Sequence, residues 1–190
     1  MGCFGDKGPD PWRRDIQEAA TTMTALVERL VALCRMDEAG EALPEAPFDL
    51  SEAAGEAAAA FSAAAARQGK ALQAHIDPGV TYVGDRRAIG EILAILLDNG
   101  VKYCDPGGTV QLYLRGGKHP TLRVENAYVQ AGRLDVSRIF DRFYRGDDAR
   151  ACGSGFGIGL SMAKAIVAQH KGTICARSQG GNTVILTVRL

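Results

Sequence analysis

IFDRFYRGDDARACGSGFGIGL, residues 139–160, carries an apolar-aromatic turn, a charged stretch of loop and then glycine at every second position: Gly153, Gly155, Gly157 and Gly159. Leu160 to Val167 reads as a helix that begins where the glycines end. Glycine admits positive φ and lets backbone approach a ligand closely. A helix N-terminus presents N–H donors without intrahelical partners and the positive end of the helix dipole. Loop and helix start together form a place for phosphate oxygens.

Upstream, Asp85 is placed to cap a helix running to about Tyr103, which contains EILAILLDNGVKY (91–103). Ile89, Ile92, Leu93, Leu96 and Leu97 share one side, as a helix lying on a sheet requires. Asn99 and Lys102, three residues apart, share another. An amide oxygen is a hard ligand suited to Mg²⁺, and an ammonium three residues on can meet phosphates that the metal bridges. The pair acquires meaning from the glycine loop downstream.

Further elements follow from turn chemistry. Phe48-Asp49-Leu50 reads as a short strand, and Ser51 as the N-cap of an alanine-rich helix ending near Gln68-Gly69. Lys70 to Asp77 alternates as a strand does. Thr109 to Arg115 and Thr121 to Asn126 are predicted strands joined through Gly116-Gly117, and Thr173 to Ser178 and Thr183 to Leu190 close the chain around Gly180-Gly181-Asn182. This order predicts an α/β fold, a two-layer α/β sandwich with three helices on one face of a mixed sheet.

An amphipathic helix precedes the sandwich. From Arg14 to about Asp37, Ile16, Ala20, Met23, Val27, Leu30 and Cys34 recur with spacings 4-3-4-3-4, a heptad seam that one helix cannot bury alone. The expected organisation is a loop or disordered N-terminus (1–13), a dimerisation or docking helix (14–38), a linker with two prolines (39–47), and the sandwich (48–190).

With 22 basic and 22 acidic residues and no net charge, the 190-residue chain offers no broad electrostatic partner such as nucleic acid. No apolar run reaches the ~18 residues of a membrane span, and the first residues lack a signal core. Five scattered cysteines without a CxxC pair fit a reducing, cytoplasmic setting better than a disulfide or zinc framework.

The motifs together resemble the catalytic, ATP-binding domain of bacterial two-component sensor histidine kinases, members of the gyrase-type (Bergerat) ATPase superfamily. LLDNGVKY (96–103) resembles the family's N box, and VGDRRAIGEIL (83–93) the lead into it. IFDRFYR (139–145) matches the F box almost letter for letter. GSGFGIGLSMAKAIVAQHKGTI (153–174) resembles the second glycine box with the helix and strand after it, and GGNTVILTVRL (180–190) the last strand pair. Similarity runs from Phe48 to Leu190, while MTALVERLVALCRMDEAG (23–40) is similar to the distal half of the second dimerisation helix.

The resemblance implies ATP and Mg²⁺ as cofactors and protein-histidine kinase activity. Asn99 would bind Mg²⁺, Lys102 the phosphates, and Tyr103 would stack near the nucleotide. Asn126 would meet the base, and Arg142 or Arg145 the terminal phosphate. Gly153, Gly155, Phe156, Gly157, Ile158, Gly159 and Leu160 would form the hinge and phosphate cradle of a mobile lid anchored by Phe140 and Phe143. The family's phosphoacceptor helix carries a His beside an acidic residue. His75, His119 and His170 are none of them followed by one. The implied acceptor His is therefore on a separate or missing domain, reached by the heptad helix, and passes its phosphoryl group to a response regulator. Homodimerisation through the same helix is the alternative use of the seam.

Two positions depart from the family pattern. Its first glycine box has an Asp for the adenine amine followed by glycines; here the stretch is Asn126-Ala127-Tyr128-Val129-Gln130. Loss of the charge weakens such a bond by ~1–2 kcal/mol, about ten-fold in affinity. Ile95, one turn before Asn99, stands where kinases carry Asn and gyrase-type hydrolases a Glu base, so hydrolysis by the gyrase route is not expected. A competing expectation is a non-enzymatic dimerisation or receiver-binding adaptor that keeps the kinase fold.

Overall fold

Two aspartates start the long helices. Asp49 Oδ1 accepts from the Glu52 amide at 3.0 Å and Leu50–Arg67 (α1) follows. Asp85 Oδ1 accepts from the amides of Arg87 and Ala88 at 2.8 and 3.2 Å and opens Arg86–Tyr103 (α2). Losing either cap costs about 1 kcal/mol. α1 therefore starts two residues earlier than expected, with Asp49 and not Ser51 as its cap. Ser51 is employed elsewhere: its hydroxyl donates to Asp77 O at 2.7 Å and accepts from the Val80 amide at 2.9 Å.

The computed structural model describes residues 12, 16, 20, 23, 24, 27, 45–144 and 156–190. The chain divides into two compact units, Met1–Glu38 and Ala39–Leu190. In the first, all six described residues are helical, including Trp12 within the stretch expected as loop. Trp12, Ile16, Met23 and Val27 are exposed.

The second unit is a two-layer α/β sandwich. Its strands are Ala46–Asp49 (β1), Ala71–Ile76 (β2), Thr81–Gly84 (β3), Thr109–Arg115 (β4), Thr121–Ala127 (β5), Thr173–Gln179 (β6) and Thr183–Arg189 (β7), and Gly159–Gln169 is a third helix (α3). A five-stranded sheet has the order β2-β4-β5-β7-β6, and β1 pairs with β3 in a separate antiparallel ribbon. β2 and β4 are parallel, which requires a crossover, and α2 supplies it. The other pairings are antiparallel, so the sheet is mixed as expected. β3 and a 3₁₀ turn at Ala131–Arg133 were not foreseen.

Between the layers, Ile89, Ile92, Leu93, Leu96 and Leu97 of α2 are fully buried with Val110, Leu112 and Leu114 of β4 and Leu122 and Val124 of β5. At roughly 2 kcal/mol per buried aliphatic side chain, this face outweighs the surface ion pairs that link α2 to α1 through Arg86, Glu52 and Glu56. Gly100 sets how close the last turns of α2 come to the sheet. A methyl there would lie 3.0 Å from Val110 Cγ1 and 3.1 Å from Val124 Cγ1, tighter than such contacts normally run. The Asn99 to Tyr103 end of the helix is thereby seated directly over β4 and β5.

Candidate nucleotide-binding site

Three chain segments bring the sequence-predicted residues into this unit. The last turns of α2 carry Asn99, Lys102 and Tyr103, all half-buried, with Lys102 Nζ 4.9 Å from the centre of the Tyr103 ring. The end of that helix is held by Lys70, whose Nζ donates to Val101 O at 2.6 Å. A cation at the last carbonyls of a helix also opposes the negative end of its dipole.

The second segment is the end of β5 and the loop after it. Asn126 is 2% exposed and its Nδ2 donates to Ala127 O at 3.3 Å. Beyond it the backbone is pinned repeatedly. Tyr128 N donates to Asn182 O at 2.8 Å, Ala131 N to Tyr128 O at 2.9 Å, and Gly132 N to Gly181 O at 3.0 Å. Val129 N donates to Asp105 Oδ2 at 2.7 Å. Tyr128 and Gln130 are half-buried and Val129 is exposed.

The third segment is the turn before α3 and the start of that helix. Phe140 is half-buried, while Arg142 and Phe143 are exposed. Phe156 is exposed, and Ile158 is 3% exposed, so its side chain belongs to the core and only its backbone is offered to a ligand. Gly159 and Leu160 are the first residues of α3. Ile158 precedes them without a side chain that can cap, so no side chain of the N-cap residue competes for the first amides of α3. A methyl built on Gly159 would sit 3.5 Å from Ile95 Cγ2, which places the start of α3 against α2 one turn before Asn99. Arg145, Gly153 and Gly155 lie outside the described residues.

His170 joins two helices. Its Nδ1 is 2.9 Å from Ile166 O, and the Asp85 amide donates to its Nε2 at 3.3 Å, tying the end of α3 to the cap of α2. His75 stacks on Tyr113 at 4.9 Å. Burial raises the Cys104 thiol above its ordinary value, so this cysteine, directly after α2, is a packed side chain and not a nucleophile. Asp105 was missed in the sequence: Asp-Pro-Gly-Gly signals a turn, and nothing local announces a contact with Val129.

Residues 84–190 match the family model described as histidine kinase-, DNA gyrase B-, and HSP90-like ATPase, and the chain belongs to that family. Its relatives include the signal transduction histidine-protein kinase BaeS of Escherichia coli K12, 34% identical over 92% of this chain. The chain spans 38% of the length of that relative. Among solved structures, the Acinetobacter baumannii histidine kinase AdeS superposes with a TM-score of 0.78 over 97% of this chain and 86% of that one, at 21% identity. Full-length ShkA in complex with AMPPNP matches with a TM-score of 0.81 over 97% of this chain and 39% of that one, at 20% identity. At these identities the structural matches speak for the fold. The expected sandwich and its kinship with sensor histidine kinases therefore stand.

Proposed function

We propose that this chain is the ATP-binding catalytic part of a protein-histidine kinase, moving the γ-phosphoryl group of ATP to a His on a separate or missing phosphoacceptor domain. One observation carries the reading: the glycine-led start of α3 lies against α2 at Ile95, a single turn from Asn99. The amides at that helix start favour phosphate oxygens, and Lys102 adds a positive charge near the same end of α2. Family membership and the AMPPNP held by ShkA support a nucleotide as the ligand.

The donor set fits Mg²⁺ brought in with the nucleotide. Among the described residues there is no cluster of three or more His, Cys, Asp or Glu that would hold a metal alone. Asn99 would hold the metal through its one amide oxygen, with phosphates and water filling the other positions, and the metal would supply charge neutralisation there. Asn126 meets the base, Arg142 or Arg145 the terminal phosphate, and Phe140 and Phe143 anchor a lid hinged at the glycines from Gly153 to Gly159. Ile95 orients no water, so the acceptor is an incoming imidazole: its nitrogen gains the phosphoryl group as the bond to ADP breaks.

The exposed apolar residues of the first unit, Trp12, Ile16, Met23 and Val27, are the docking surface for the acceptor's helices or for a second copy. A response regulator follows downstream, and the chain works in the cytoplasm. No helix among the described residues is long and apolar enough to cross a membrane. The amide at Asn126 also favours a second reading, an adaptor that has lost turnover but kept the fold. Incubation with Mg²⁺, γ-labelled ATP and candidate His-bearing domains separates the two. Label is expected on the acceptor; binding of ATP without transfer to any acceptor would leave the adaptor.

A further inference from the structure

We propose that Asp105 is a positioning residue for the base-side wall of the nucleotide pocket, an inference that rests on the nucleotide reading above. Asp105 lies two residues beyond Tyr103 and three beyond Lys102. It grips the loop after Asn126 at two points. Its backbone N–H donates to Ala127 O at 2.9 Å, and its carboxylate accepts from the Val129 amide at 2.7 Å. Its own carbonyl accepts from the Gly108 amide at 2.9 Å, closing the Asp-Pro-Gly-Gly turn beneath it.

The arrangement links two walls that the chain carries far apart. One is the end of α2, with Asn99, Lys102 and Tyr103; the other is the Asn126 to Gln130 stretch. Apolar burial does not hold Val129, which is 70% exposed. What holds Val129 is a hydrogen bond to a charged acceptor, one of the stronger kinds. Neighbouring amides are pinned to Asn182 and Gly181, whereas the two Asp105 bonds refer the loop to the turn that follows α2. Tyr128 and Gln130 put bulk into this loop, so a small shift of its backbone changes the room left for a base.

The test uses the whole chain and three variants: Asp105→Ala, Asp105→Asn and Asp77→Ala. Asp77 also accepts from a backbone amide, that of Gly116 at 3.0 Å, but on the loop between β4 and β5. It serves as a control for lost stability alone. Affinity for a fluorescent ATP analogue with Mg²⁺ is read by titration, alongside thermal unfolding and hydrogen exchange at the Val129 amide.

Asp105→Ala is expected to weaken binding about ten-fold and to speed exchange at Val129, as loss of one charge-assisted bond implies. Asp105→Asn, which keeps an acceptor oxygen, is expected to recover most of the affinity. Asp77→Ala should lose stability and bind as the unaltered chain does. Binding by Asp105→Ala equal to the unaltered chain overturns the inference, as does an equal loss in Asp77→Ala. If the unaltered chain fails to bind the analogue, the nucleotide reading itself falls, and the inference with it.

Discussion

The amide of Phe143 donates to the carbonyl of Gly157 at 2.9 Å, joining the turn before residues 145–155 to the segment after them. Both residues have positive φ, +64° at Phe143 and +70° at Gly157. A methyl on Gly157 would meet Tyr144 O at 2.7 Å and the Phe143 carbonyl carbon at 2.9 Å. These are backbone atoms and cannot turn aside. This stem is therefore built on one glycine that no other residue can replace without moving the chain.

Gly157→Ala is accordingly expected to open that stem. The left-handed φ alone costs about 1–2 kcal/mol for alanine, and the contact with Tyr144 O adds to it. Affinity for an ATP analogue should fall at least ten-fold while the far-ultraviolet circular dichroism of the sheet and α2 is retained. Unaltered affinity would show that the stem plays no part in holding nucleotide.

Asn99→Ala tests the proposed metal ligand. Alanine is the better helix former by about 0.6 kcal/mol, so α2 should be no less stable. The unaltered chain is expected to bind ATP analogue more tightly with Mg²⁺ than without it. In the variant that difference should vanish, leaving the two affinities within about two-fold of each other. A retained Mg²⁺ effect would move the metal ligand to another residue.

Most of the sandwich is readable along the chain because its signals are local and long. α2 shows five core positions on one side, all fully buried in the structure, and Asp85 marks its start. β3 is not readable. Thr81–Gly84 is four residues long and exists by pairing with Ala46–Asp49, a partner remote in sequence. Asp49 and Ser51 are equally able to cap, and the choice depends on Ser51 meeting Asp77 and Val80, again a tertiary matter. The same division runs through the site. Asn99, Lys102 and the glycines stand out by spacing, whereas Asp105 meets Val129 only across the fold.

Asn126→Asp tests the proposed place of Asn126 at the base. In the chain as it stands, Nδ2 donates to Ala127 O from a position 2% exposed. A carboxylate there has no proton to give, faces that carbonyl and is buried. The ligand-free variant should lose about 1–3 kcal/mol of stability. An adenine amine supplies the missing donor, so the variant is expected to gain more melting temperature from ATP analogue than the unaltered chain does. Equal gains in the two proteins would place the base away from Asn126.

Acid reports on a different carboxylate. The Gly116 amide, and then the Arg115 guanidinium 2.6 Å away, hold Asp77 below its ordinary value of 3.8. Its ionised form is therefore favoured by folding. The stabilisation it contributes is fully present above the ordinary carboxylate range and is lost as pH falls through the lowered folded value. Asp77→Asn is expected to melt below the unaltered chain at pH 7, and the gap should close on acidification below about pH 4. Because Arg115 is mostly exposed, added salt should narrow the gap at pH 7 as well, by screening the pair. A gap that stays constant from pH 7 to pH 3 would mean that the two proteins differ by the backbone geometry of the β4 to β5 turn and not by the charge of Asp77.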